Sequence, residues 1–164
     1  MRALPGESIL GSFVNATDAE LERLHLPWWY DATLWESLDY LGWTDPQAPE
    51  RGYLVAETSF GLVGVVLRLP KNRPHGRRAL CNLCLTQHQS QGALLMVARR
   101  AGRAGINHNT VGTYICGDLA CSLYVRGLRR SFGGGAMPET ITVEHRVARL
   151  HENLEDFLAR VCVE

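Results

Sequence analysis

Four of the five cysteines fall into two close pairs, Cys81-Asn82-Leu83-Cys84 and Cys116-x4-Cys121, with 31 residues between the pairs. Two intervening residues let both thiolates of the first pair point into one knuckle, where backbone N–H groups can reach the sulfurs. The second pair straddles the expected start of a helix, whose unpaired N–H groups and positive dipole end favour thiolate. Four sulfurs suit tetrahedral Zn²⁺ with no vacant position, which is the structural kind of zinc site. An iron–sulfur cluster and a redox-active Cys-x-x-Cys would draw on the same residues. A thioredoxin-like pair, however, opens a helix after a strand. Here Cys81 follows a basic loop, and Cys84 precedes QHQSQG, which reads as a turn. His88, four residues after Cys84, is the one substitute ligand nearby, and Cys162 lies apart near the chain end.

No second chemistry competes with these sulfurs. The chain has no G-x-S-x-G elbow, no H-E-x-x-H and no glycine-rich phosphate loop with its lysine. Gly133-Gly134-Gly135 lacks a flanking strand and helix and reads as linker. Asp118 is the lone acid among the eleven basic residues of the middle segment. At the start of a helix, it reads as an N-cap rather than a catalytic acid. The residues describe a binding protein, not an enzyme, with no small-molecule substrate.

The elements that must position the cysteines are read from period and punctuation. Thr17 and Glu20 are spaced as a capping box, so a helix is expected from Thr17 through Leu24, ending before Pro27. Leu34, Trp35, Leu38 and Leu41 recur at three- and four-residue steps, which predicts a second helix over Asp31–Leu41 with Gly42 as its cap and a loop over 43–49. Tryptophans 28, 29, 35 and 43 are read mostly as core, an exposed one being a partner anchor. YLVAET and LVGVVLRL flank Ser59-Phe60-Gly61 as a β-hairpin that Pro70 ends. GALLMVARR and VGTYI read as strands, AGRAGINHN as a turn-rich connection, and Asp118 onward as helix. SFGGGAMP reads as a flexible break. Val143, Val147, Leu150, Leu154, Phe157, Leu158 and Val161 form one stripe of a long amphipathic helix. First knuckle, hairpin, then a helix carrying the last ligands is the treble-clef layout.

Net charge is zero over 164 residues, yet it is strongly segregated. Residues 1–60 hold ten acids against three arginines; residues 61–138 hold ten arginines and Lys71 against Asp118 alone. The basic middle suits a module that meets phosphates or an acidic protein, unless the acidic flanks fold back and neutralise it. No apolar run approaches the roughly 20 residues of a membrane span, and MRALPGESIL lacks a secretory pattern, so a cytoplasmic location is expected. The chain divides into an acidic helical segment, 1–60, leading into a β-hairpin, and a basic zinc-finger domain with a C-terminal helix, 61–164. The fold class is α+β: a small mixed sheet with a four-cysteine treble clef, short N-terminal helices and a long C-terminal helix.

NTVGTYICGDLACSLYVRG, with CNLC upstream and LGWTDP and RGYLVAET earlier, resembles the elongation factor G-binding family, which includes the fusidic acid resistance proteins of the FusB type. The resemblance covers about Trp43 to Arg126, and the last helix is compatible with it. It implies a treble-clef domain with one structural zinc on Cys81, Cys84, Cys116 and Cys121. It also implies binding to elongation factor G and release of that factor from the ribosome. The portion before the zinc domain is too short for the helical bundle of the FusB type. Candidate contacts to the partner are Arg99, Arg100 and Arg103 after one strand, and Arg126, Arg129 and Arg130 after the zinc-bearing helix, two groups expected to converge. Ribosomal RNA is the alternative partner for the same arginines, although no aromatic-rich sheet motif for base stacking accompanies them.

Overall fold

A computed structural model describes residues 1–72, 78–89, 92–131 and 140–163. The elements in chain order are α1 (Gly6–Leu10), α2 (Asp18–Leu21), β1 (Tyr40–Thr44), β2 (Arg51–Thr58), β3 (Gly61–Arg68), β4 (Arg78–Leu80), β5 (Gln87–Gln89), β6 (Ala93–Arg99), α3 (Gly102–Ile106), β7 (Thr110–Cys116), α4 (Cys121–Val125) and α5 (Val143–Cys162). Five strands pair antiparallel in the order β1-β2-β3-β6-β7, and β4 and β5 form a separate two-stranded ribbon. The α+β class with a long C-terminal helix stands.

The period-two alternation of β1, β2 and β3 gives the sheet two buried faces. Tyr40, Leu54, Ala56, Val63, Val65 and Leu67 point to one face, where they meet β6, β7, the cysteines and α5. Leu41, Trp43, Tyr53, Val55 and Val66 point to the other, where they meet residues of the first 38 positions. Register fixes the partition: Tyr40 lies opposite Ala56, and Leu41 opposite Val55. Ala56 lies opposite Val63. The sheet thus runs without interruption across the position, 60/61, at which charge changes sign.

The long helix forms as its stripe predicts. Thr142 accepts a hydrogen bond from the His145 backbone N–H as N-cap. Leu150, Leu154, Phe157, Leu158 and Val161 recur at three- and four-residue steps and are buried.

Several sequence expectations fail here. Residues 31–41 are not a helix: Tyr30–Ala32 and Trp35–Ser37 are single 3₁₀ turns, and the chain is extended from Leu38 into β1. Leu34 stays 70% exposed, so it supplies no face to bury. Tyr40, Leu41 and Trp43 instead follow the strand alternation, with Gly42 inside the strand rather than capping a helix. Residues 87–89 are not a turn either; they pair with β4. The first helix is only one turn long, although the predicted capping box at Thr17 and Glu20 is present. Within 101–109 the chain makes the short α3. The glycine-rich break and most of the basic loop KNRPHGRR lie outside the described residues.

The N-terminal chain also enters the sheet. β3 and β6 pair only through Leu67–Ala98 and Arg68–Val97. Along the rest of β3, Phe13 forms a parallel bridge with Gly64, and Gly64 exchanges backbone hydrogen bonds with Ser12 and Val14. Asn15 then spans the fork: its Oδ1 accepts from Val66 N–H, and its Nδ2 donates to the carbonyls of Val66 and Arg99.

Candidate metal centre

Each cysteine is placed by a turn whose geometry the sequence can now explain. Cys81 follows β4, and Leu85 N–H donates to its carbonyl, while Cys81 N–H donates to Thr86. These bonds close the first knuckle. Cys116 is the last residue of β7. Leu119 N–H donates to the Cys116 carbonyl, and Cys121 opens α4. Both knuckles reverse through a leucine in the left-handed region, Leu85 at φ 57° and Leu119 at φ 57°. For a residue with a Cβ this costs roughly 1–2 kcal/mol each, a load that a metal bond can carry. Leu119 is buried against β1, and a Cβ on Gly42 would sit 2.8 Å from that of Leu119. Gly42 is therefore required for the second knuckle to approach the sheet.

The four sulfurs converge. Cys81 Sγ lies 3.6 Å from Cys121 Sγ, and Cys84 Sγ lies 3.4 Å from Cys116 Sγ. All four ligand atoms lie within 4.8 Å of one another, and all four residues are buried. A tetrahedron of Zn–S bonds of about 2.3 Å has sulfur–sulfur edges of about 3.8 Å. The donor set fits a structural Zn²⁺ held by Cys81, Cys84, Cys116 and Cys121, with no position left for a substrate.

Around the sulfurs lies a set of groups that orient them, of a kind that tunes metal sites generally. Thr86 Oγ1 lies 3.2 Å from Cys84 Sγ, within hydrogen-bonding reach of the sulfur. His88 Nε2 is 3.2 Å from Cys116 Sγ. Burial lowers the His88 pKa, which favours the neutral ring. That ring packs edge-on against Tyr124 at 4.7 Å, and a Cβ on Gly92 would strike it at 2.4 Å from the His88 Cβ. His88 thus supports the site from outside the ligand set. Tyr40 Oη accepts the Cys121 N–H at 3.4 Å, and burial keeps its pKa well up, as a neutral phenol. The Cys84 thiol, in contrast, is held below its ordinary value by hydrogen bonding, chiefly from Cys116.

Asp118 is not the N-cap of α4, a position that Ala120 occupies. It braces the helix instead: one oxygen accepts Ala120 N–H, and the other accepts the Tyr124 hydroxyl at 2.8 Å and faces Arg129 at 3.3 Å. Hydrogen bonding of this kind was not visible in the local sequence, and neither were Tyr40 and Thr86. A signal was available only for His88, as a metal-binding residue type near Cys84.

The six candidate arginines do not form one face. Ala93 lies opposite Cys116 at the metal end of the β6–β7 ladder, and Arg99 lies opposite Thr110 at the other end. Six strand steps separate the ends, roughly 20 Å. Arg99, Arg100 and Arg103 are therefore remote from the metal, whereas Arg126, Arg129 and Arg130 follow the metal-bearing α4. Three of the six are engaged internally: Arg129 with Asp118, as above, and Arg99 and Arg126 with acids of the first sixty residues. Arg99 donates to Glu20 Oε2 and to the Asn15 carbonyl. Arg126 makes a two-pronged pair with Asp39, including Nη2–Oδ1 at 2.9 Å. His151 Nε2 reaches the same carboxylate at 2.7 Å. Asp39 is buried; desolvation opposes its charge, but Arg126 and His151 outweigh that and lower its pKa. The acidic flanks do fold back on the basic middle at these two points. Arg100, Arg103 and Arg130 make no ion pair among the described residues.

No helix among the described residues is long and apolar enough to cross a membrane. The family described as the FBP C-terminal treble-clef zinc-finger has a model that matches residues 8–161. No curated protein and no solved structure matches the chain.

Proposed function

The chain belongs to the FBP C-terminal treble-clef zinc-finger family, and on that premise we propose that it is a non-enzymatic, zinc-stabilised docking protein whose partner is elongation factor G. Binding would promote release of that factor from the ribosome, in the cytoplasm. The observation that carries the non-enzymatic part is the closed site: four buried sulfurs leave the metal no open position, so it builds structure rather than activating a water. The docking part rests on the sequence resemblance to the elongation factor G-binding family and on the positive charge of the middle segment, which suits an acidic partner.

Of the six arginines, Arg100 and Arg103 are the best placed to carry recognition. They lie together around the start of α3, and neither is in an ion pair among the described residues. Arg99 and Arg126 hold Glu20 and Asp39, so their loss would act on stability rather than on affinity. Arg129 and Arg130 form a second, metal-proximal group.

Titration against purified, nuclease-treated elongation factor G tests this reading. Exposed ion pairs contribute about 0.2–1 kcal/mol each, so Arg100→Ser with Arg103→Ser should weaken binding by about two- to thirty-fold. Zinc content and melting temperature should stay unchanged. Equal affinity of variant and parent at low salt would remove this pair from the interface, and retention that requires RNA would transfer the function to a ribosomal RNA contact.

A further inference from the structure

Trp28 is 94% exposed and Leu34 is 70% exposed. Both sit on the loop that runs from Pro27 to Leu38, and neither exposure comes from a loose chain. Tyr30 and Ala32 N–H groups donate back to Pro27 and Trp29, and Ser37 N–H donates to Leu34. Thr33 Oγ1 donates to the Trp29 carbonyl, and Tyr30 Oη donates to the Leu4 carbonyl. Tyr30 and Trp35 stack edge-on at 5.7 Å. Trp29, Tyr30, Trp35 and Leu38 pack on the buried cluster beneath. The loop therefore sends four large side chains inward and holds a fourth aromatic, Trp28, out in water.

The exposed side of this loop is acidic. Asp31 and Glu36 are exposed on it, and Glu22 is exposed on the segment leading into it, with Arg23 as the one exposed cation beside them. None of the three carboxylates is in an ion pair among the described residues. A rigid, exposed tryptophan is the kind of residue that dominates protein interfaces, because its area is gained at little cost in ordering. Unpaired carboxylates around it repel nucleic acid and anionic lipid, and select a partner of opposite charge.

From this arrangement we infer that the Trp28–Leu34 loop is a second docking surface, and that its partner is a basic protein surface with an apolar pocket that receives Trp28. The surface lies on the N-terminal side of the sheet and does not depend on Arg100 and Arg103. A protein with both surfaces would join an acidic partner to a basic one.

The test uses the full-length zinc-loaded protein and a fluorescently labelled synthetic peptide in which leucines alternate with lysines, read by anisotropy. An all-lysine peptide, a leucine–glutamate peptide and a single-stranded RNA serve as controls. The leucine–lysine peptide should bind the parent and weaken as salt rises. Trp28→Ala should weaken it at least ten-fold with an unchanged melting temperature, since the side chain packs on nothing. Asp31→Lys with Glu36→Lys should weaken it comparably, and Glu7→Lys, on α1, should not. Equal binding of the peptide by Trp28→Ala and parent would overturn the inference, as would equal binding by the glutamate peptide or by RNA. Concentration-dependent self-association of the parent that Trp28→Ala abolishes would also overturn it, assigning the loop to a second copy of this chain. Titration of Trp28→Ala against elongation factor G keeps the two readings apart: unchanged affinity there is the expected result.

Discussion

On one side of the sheet, four sulfurs and the twenty-residue α5 hold the core; on the other, residues 1–38 cover it with no helix longer than five residues. The first side has local order of its own: a capped amphipathic helix and two hydrogen-bonded knuckles joined by metal. The second has almost none. Its α2 is a single turn, and its 3₁₀ turns are three residues each. What orders it is aromatic packing: Trp43 and Tyr53 with ring centroids at 5.0 Å, and Phe13 edge-on to both. Two halves of one small domain can therefore reach similar burial by opposite routes, one metal-driven and one almost wholly tertiary.

The largest expected effect lies on the metal side. Structural zinc binding can contribute about 10–16 kcal/mol of apparent free energy, as much as or more than the stability of a small domain. Cys116→Ala, or chelation of the parent, should abolish cooperative unfolding, as followed by circular dichroism, and elemental analysis of the parent should give about one zinc per chain. A metal-free, soluble parent that still unfolds cooperatively would break the contrast between the two sides.

Next come matched truncations on the two faces. Phe157→Ala and Trp43→Ala each remove a buried aromatic and should each cost about 3–5 kcal/mol. Their patterns should differ. Trp43→Ala should leave the zinc in place while amide exchange rises over residues 1–38; Phe157→Ala should raise exchange over α5 and the knuckles. Identical exchange patterns would mean that the two sides open as one unit.

Asp39 ties the sides together, since it precedes β1 and holds Arg126 after α4 and His151 on α5. Asp39→Asn should cost about 1.5–3 kcal/mol near neutral pH. Its folded pKa is lowered, so this contribution is intact above the ordinary aspartate value of about 3.9 and is lost as pH falls through the folded value. The difference between parent and Asp39→Asn in denaturant midpoint should therefore shrink as pH falls below about 4. Acid also removes zinc from thiolates, but it does so from both proteins, so the difference isolates the carboxylate. Smallest is Thr17→Ala, which removes the cap of α2 and should cost about 1 kcal/mol by the same measurement.

Legibility in the sequence follows the same division. The cysteine spacing, the β2–β3 hairpin, β6, β7 and α5 could be read directly, because their signals are local: periodicity, turn residues and ligand spacing. The capping box at Thr17 was legible for that reason too. Residues 31–41 were not, because Leu34, Trp35, Leu38 and Leu41 imitate a helical step while the chain serves two different masters. Trp35 and Leu38 pack on the sheet, Leu34 faces water, and Leu41 is already a strand residue. Nor did Gln87-His88-Gln89 look like a strand, since its polar residues owe their place to the ribbon beside the knuckle and to the Cys116 sulfur. The expected convergence of the two arginine groups fails because sequence distance along β6 and α4 does not reveal that the β6–β7 ladder carries Arg99 to the end away from the metal.

The strand-like insertion of residues 12–15 beside β3 carries a consequence for synthesis of the chain. Asn15 finds its last partner, the Arg99 carbonyl, 84 residues further along. At about 5–20 residues per second, that partner is made about 4–17 s after Asn15 itself. Throughout that interval Ile9 and Phe13 have no finished sheet to cover. Residues 9–15 are thus made well before the sheet they cover and settle late, and during that wait a nascent-chain chaperone would have access to their apolar side chains.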